Sequence, residues 1–178
     1  MNAQPEAVRD PAPDAGTFDF DAIFRLHYPR LARAIARLIG DPARAEELAV
    51  EALWKLWRSP EAHGEAAGGW LYRTAMRFGL NEMRGSNRRM RHESLAEIGV
   101  GFLGPEEARA AAEEQRQVRQ VLAELDPRQA SLLVLRSSGL SYSELAAALE
   151  LNPASIGTFL SRAQEAFRKE YVKRYGPQ

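Results

Sequence analysis

Cysteine is missing from all 178 residues, so no disulfide can staple the fold and no thiolate can hold zinc or an iron–sulfur cluster. Histidine is nearly missing too. His27, His63 and His92 stand far apart, without the short spacings of a metal site, and neither metal nor cofactor is expected. No apolar run approaches the ~18 residues needed to cross a bilayer, and the first residues, MNAQPEAVRDPAPDAGT, lack the hydrophobic stretch of a secretion signal. The expected location is therefore the cytoplasm, without membrane insertion. There is no glycine-rich phosphate loop, no paired carboxylates at strand ends and no local signature of a Ser/His/Asp nucleophile, which points away from an enzyme. No stretch alternates apolar and polar residues with the period of a strand, and no segment repeats; the chain reads as all-α.

Net charge is zero, from 24 Lys and Arg against 24 Asp and Glu, but the charges are not evenly spread. Residues 1–91 carry +2, residues 92–126 carry −5 and residues 127–178 carry +3, so two mildly basic ends flank an acidic middle. Within the first part, Arg84, Arg88, Arg89 and Arg91 fall in eight residues without an acid among them. Such a run is ordinarily a solvated face, and it becomes a phosphate-contact candidate only beside an independent sign of nucleic-acid binding.

That sign lies between Leu140 and Ala163, in LSYSELAAALELNPASIGTFLSRA. Ser141 with Glu144 three residues on is a capping box that starts a helix at Tyr142. Asn152 then caps a second helix with Pro153 at its first position, where a missing N–H costs nothing. Ile156, Leu160, Ala163 and Phe167 recur at helical spacing, which buries one stripe and turns Ser155, Thr158, Phe159 and Arg162 outward. A short helix, a tight corner and a longer helix with a polar outer face make a helix-turn-helix, whose second helix enters a major groove. The same shape also occurs in purely structural bundles.

The rest of the chain divides around this motif. Phe24, Tyr28, Leu31, Ile35 and Leu38 mark one amphipathic helix ended by Gly40. Asp41 and Pro42 open another, with Leu48, Ala52 and Leu56 inward and Glu47, Glu51 and Lys55 outward. Residues 58–69 read as a loop, and a third helix from about Trp70 to Met90 places Leu71, Ala75, Phe78 and Met83 inward. Val118, Val121, Leu122 and Leu125 mark a further helix, and Pro127 opens a short apolar one ended by Gly139. The predicted organisation is a tail at 1–17, a three-helix bundle at 18–91, a flexible linker at 92–114, and a four-helix domain with the helix-turn-helix at 115–175.

This order of parts resembles the extracytoplasmic-function group of the sigma-70 family, the two-domain alternative sigma factors of bacterial RNA polymerase. The resemblance rests on DPARAEELAVEALWKLW, GGWLYRTAMRFGLNEMR, LAELDPRQASLLVLRSSGLSYSELAAALEL and, less fully, NPASIGTFLSRA, and covers about residues 20 to 172. It implies that Glu46, Glu47, Leu48 and Glu51 dock on core RNA polymerase, an acidic face with apolar neighbours meeting a basic partner. It also implies that Trp70, Tyr72, Arg73, Arg77 and Asn81, with Arg84, Arg88 and Arg89 on phosphates, capture the melted minus-ten element of promoter DNA. Trp70 and Tyr72 are equally well read as packing residues. The helix-turn-helix, through Asn152, Ser155, Thr158, Phe159 and Arg162, would read the minus-thirty-five element.

The chain departs from its relatives at several of these positions. They commonly carry Asp and Gln where it has Glu47 and Val50, and Lys and Arg where it has Gly157 and Phe159. Two fewer phosphate-neutralising charges would flatten the salt dependence of DNA binding by about two units of slope. The family often works with an anti-sigma protein, which adds a possible third partner to polymerase and promoter. Two other readings compete: a stand-alone helix-turn-helix regulator that binds duplex DNA tightly as a dimer, and a sigma-like adaptor that binds a regulatory protein rather than DNA.

Overall fold

The computed structural model describes residues 18–93 and 106–177. The expected tail at 1–17 and the central part of the expected linker lie outside the described residues. The elements are α1 (Phe20–Ile39), α2 (Pro42–Trp57), α3 (Ala67–Glu93), α4 (Glu106–Glu124), α5 (Pro127–Ser137), α6 (Tyr142–Leu149) and α7 (Ile156–Tyr175), with single 3-10 turns at Pro60–Ala62 and Pro153–Ser155. Among the described residues there is no strand.

Short polar residues start the helices, Asp41 among them as the sequence predicts. Asp19, Asp41 and Asp126 accept hydrogen bonds from the first-turn N–H groups of α1, α2 and α5, and Pro42 and Pro127 follow at positions that need no N–H. Gly40 closes α1 at φ 72, a left-handed turn that a residue without Cβ adopts cheaply, and its N–H satisfies the Ala36 carbonyl. In the helix-turn-helix, the Ser141 N–H donates to Glu144 at 2.7 Å and the Glu144 N–H to the Ser141 hydroxyl at 3.3 Å, closing the capping box in both directions.

Helix α1 continues through Pro29, as its spacing predicts; the proline sits on an exposed face, so the ring is accommodated without burying the carbonyl it leaves unpaired. Two details differ from the sequence reading. Helix α3 begins at Ala67 rather than at Trp70, taking Gly68 and Gly69 into its first turn. Asn152 caps a 3-10 turn before α7 begins at Ile156.

In the N-terminal module, Leu31, Ile35 and Leu38 of α1, Leu48, Ala52 and Leu56 of α2, and Leu71, Ala75 and Met83 of α3 are buried together. In the C-terminal module, Leu122, Leu125, Leu132, Leu135, Leu145, Leu149, Ile156, Leu160 and Ala163 are buried. Each set is the apolar stripe that the helical spacing predicts.

The two modules are packed on one another. Helix α6 lies across the first turns of α3, close enough that a Cβ on Gly69 would stand 2.6 Å from the Ala147 carbonyl oxygen. Beside this approach, Arg30 of α1 meets Glu144 of α6 at 2.7 Å, and Arg73 of α3 meets Glu150 at 3.0 Å. At the other end of the bundle, Arg37 donates to the Ser137 carbonyl and Arg84 to the Leu125 carbonyl.

Candidate nucleic-acid and partner interfaces

Helix α2 buries one stripe and leaves a second, mixed one in solvent. Glu46, Glu47 and Glu51 are exposed, and between them stand Val50, Trp54 and Trp57, each close to half exposed. The two indole rings lie 4.9 Å apart. Tyr28, Ala43, Glu46, Glu47, Val50, Glu51 and Trp54 line an open depression of about 710 Å³. Arg44 reaches Glu47 at 2.7 Å and Glu82 at 3.2 Å, and these bonds raise its pKa. Leu48, grouped with the acidic residues by resemblance, is buried, so it holds α2 on the bundle rather than presenting itself. The exposed apolar members were missed. Their signal is in the sequence: Val50, Trp54 and Trp57 recur at helical spacing on the side opposite Leu48, Ala52 and Leu56. Exposed tryptophans beside carboxylates are what a partner with an apolar, basic surface would cover.

The residues of α3 separate into two groups. Arg77 and Asn81 are exposed, and Arg77 lies over the Phe78 ring at 5.9 Å. Tyr72, by contrast, is only 2 % exposed: its ring meets His27 edge-on, its hydroxyl lies 3.4 Å from His27 Nδ1, and the Arg30 guanidinium sits 5.8 Å above it. Burial pushes the Tyr72 hydroxyl pKa up and the His27 pKa down, keeping both neutral beside the Arg30 charge. Trp70 is half-buried against the core. Arg73 is engaged by Glu150 and by the Ala148 carbonyl at 3.4 Å, and Arg84 by the Leu125 carbonyl at 3.1 Å. The side chains of Arg88 and Arg89 lie outside the described residues, although α3 runs beneath them.

In the helix-turn-helix, Asn152, Thr158 and Arg162 are exposed and Ser155 is partly so, at the start and on the outer side of α7. Phe159 is different. The sequence pattern turns it outward, yet it is half-buried and packs against the core, because the apolar stripe of α7 is wider than the spacing of Ile156, Leu160 and Ala163 alone suggests. An arginine at 159 would thus give up packing as well as gain charge. At Gly157 a Cβ would meet the Tyr142 ring at 4.0 Å, an ordinary contact. Gly157→Lys is therefore expected to raise stability, by up to about 1 kcal/mol of helix propensity, and to steepen the salt dependence of DNA binding by about 0.9 slope units. Thermal melting and a salt titration of promoter binding check this; an unchanged slope would place residue 157 away from phosphate.

Two packed helical modules, one ending in a helix-turn-helix with a polar outer face and the other carrying exposed arginine on α3 and an acidic, aromatic stripe on α2, are the makeup of a DNA-binding transcription factor. Residues 23–89 match the model of Sigma-70 region 2, and residues 115–166 match that of Sigma-70, region 4. The chain belongs to the sigma-70 family, in its extracytoplasmic-function group, and directs transcription initiation by binding core RNA polymerase and promoter DNA. It is 28% identical over 163 residues to the RNA polymerase sigma-H factor of Pseudomonas aeruginosa, a match covering 84% of each chain. Its fold is similar to that of the sigma factor RpoE of Bartonella quintana, solved in complex with the anti-sigma factor NepR, with a TM-score of 0.52 at 22% identity, over 86% of this chain and 97% of that one. Among the described residues no helix is long and apolar enough to cross a membrane.

Proposed function

We propose that this sigma factor divides its work among three surfaces. The outer stripe of α2, with Glu46, Glu47 and Glu51 around Val50 and Trp54, docks on core polymerase. The face of α3 bearing Arg77 and Asn81, joined by Trp70, Tyr72, Arg73, Arg84, Arg88 and Arg89 when those are free, holds the separated minus-ten strand. The outer side of α7, with Asn152, Ser155, Thr158 and Arg162, reads the minus-thirty-five element, with Phe159 supporting the helix from beneath. The module spans 18–91 and 115–175 carry these roles. The observation that supports the scheme most is the α2 stripe: tryptophans half exposed to water among carboxylates have no packing reason to be there.

Melting a promoter without ATP requires the opened strand to be bound more tightly than the duplex. Stacking on aromatic side chains contributes about 1–3 kcal/mol per base, and arginines hold the backbone between stacked bases. The protein adds no bond-forming chemistry; the polymerase supplies it, and the factor acts in the cytoplasm where the polymerase is. An anti-sigma protein is a further candidate partner, since a sigma factor of similar fold is bound to one in a solved complex.

Run-off transcription with purified core polymerase on fragmented genomic template tests the scheme. Promoter-dependent transcripts that require the factor are expected, together with a stable factor–core complex. Absence of both would overturn it.

A further inference from the structure

Where the C-terminal end of α1 meets α4, α5 and α7, the helices leave a cavity of about 820 Å³ between them. Its walls are largely apolar, with Val118 and Leu122 from α4, Leu133 from α5 and Phe167 from α7. Val118, Leu133 and Phe167 are only partly buried, so apolar surface faces the opening instead of being closed off by packing. The volume falls within the roughly 300–1,000 Å³ of sites that enclose a small organic molecule. Three arginines stand in the same lining, Arg37 of α1, Arg119 of α4 and Arg136 of α5, against one carboxylate, that of Glu114.

The three guanidinium groups are held in place without being neutralised. Arg37 and Arg136 are exposed, and each donates to a backbone carbonyl, of Ser137 and of Leu140 respectively. A guanidinium has five N–H donors, so most of theirs remain for another acceptor. Arg119 is partly buried and lies against Gly40, where a Cβ would stand 2.7 Å from its Cζ. Burial pushes its pKa down, and the nearby charge of Arg116 adds to the effect. Among the described residues no carboxylate pairs with Arg119. Gly40 closes α1, so the guanidinium sits at the negative end of that helix dipole, which offsets part of a charge and does not neutralise it. A partly desolvated cation without a counter-ion, set in an apolar wall, is completed by a bound anion.

We propose that this cavity is a binding site for a small amphipathic monoanion, whose acid group meets Arg119 and the exposed Arg37 and Arg136 and whose apolar body lies against α4, α5 and α7. None of these residues belongs to the surfaces assigned to polymerase or to DNA, so the site is additional to the proposed function. Both halves of the ligand are required by the lining. An inorganic anion would leave the apolar walls in water, and a neutral hydrocarbon would leave Arg119 without its counter-charge. Because Arg37 belongs to the N-terminal module and Arg119 and Arg136 to the C-terminal one, a ligand held by all three binds only the packed arrangement and stabilises it by mass action.

Decanoate, kept below its micelle-forming concentration, is the probe, titrated calorimetrically into the full chain beside decanol and acetate. Saturable binding of decanoate is expected, together with a raised melting temperature. Decanol, with the tail and no charge, and acetate, with the charge and no tail, are each expected to bind at least about tenfold more weakly. Arg119→Gln removes the charge and keeps a hydrogen-bonding side chain; since burial disfavours that charge, the variant should melt no lower than the wild type. It is expected to weaken decanoate binding by about ten- to a hundredfold, and Arg37→Gln, on the other module, to weaken it in the same direction.

No saturable binding of decanoate to the full chain would overturn the site. Decanol binding as tightly as decanoate would show an apolar crevice with no anion recognition and would overturn it as well. Decanoate affinity unchanged in Arg119→Gln would have the same force; should that variant melt below the wild type, unchanged affinity in a stably folded Arg37→Gln would overturn the site in its place.

Discussion

Reversing two charges on α2, Glu47→Lys together with Glu51→Lys, is expected to abolish association with core polymerase while leaving the helical fold intact. Both side chains are exposed, one turn apart on the same side of the helix, and neither contributes to the buried stripe of Leu48, Ala52 and Leu56. Two lysines there would face a basic partner surface. Like-charge juxtaposition across an interface costs several kcal/mol, and about 3 kcal/mol already corresponds to more than a hundredfold in affinity. The cost to folding is small by comparison: the Arg44–Glu47 pair is exposed, pairs of this kind contribute a few tenths of a kcal/mol, and Arg44 keeps Glu82. Pull-down with core polymerase beside far-ultraviolet circular dichroism separates the effects. Unchanged pull-down would remove α2 from the docking assignment, whereas lost helicity would show that the carboxylates hold the fold. Trp54→Ala should act in the same direction with helicity retained, since the indole is half exposed and its ring lies 4.9 Å from that of Trp57.

What the sequence made legible was what a few neighbouring residues decide among themselves. Asp41 with Pro42, Pro127, Gly40 and the Ser141–Glu144 box are each decided within four or five residues, and each marks a helix end in the structure where the pattern puts it. The inward stripes followed from spacing for the same reason. Side chains that can face either way were not settled by spacing. Phe159 reads as outward and is half-buried, Leu48 was grouped with the docking residues and is core, and Val50, Trp54 and Trp57 formed an apolar stripe on the side read as polar. The seam between the modules was illegible altogether. Arg30 and Glu144 are 114 positions apart, and each has a sufficient local reading, one as a solvated helix residue and the other as a cap. Only the packing of α6 on α3 shows that one carboxylate serves both. The sequence reading of two modules joined by a flexible linker did not reveal this contact, in which Arg73 of α3 meets Glu150 at the end of α6.

The second large effect is expected at Leu145, where truncation to alanine should cost about 2–5 kcal/mol, a sizeable part of the roughly 5–15 kcal/mol that holds a domain together. Helix α6 spans eight residues, too few to persist in water by itself, so its place depends on the side chains it buries. Leu145 is completely buried, at the centre of the set formed with Ala146, Ala148 and Leu149. Its removal leaves a cavity in the layer that fixes α6, and with it the corner that aims α7. Leu145→Ala should therefore lower the melting temperature of the C-terminal module and weaken binding to a duplex carrying the minus-thirty-five element. Association of α2 with core polymerase should survive, because Leu31, Ile35, Leu38, Leu56 and Leu71 form the N-terminal core from α1, α2 and α3. Thermal melting, duplex binding and core pull-down on the one variant read these three consequences. Wild-type melting would show that α6 is not anchored through Leu145, and loss of core association alongside duplex binding would show that the N-terminal module depends on its neighbour for its own stability.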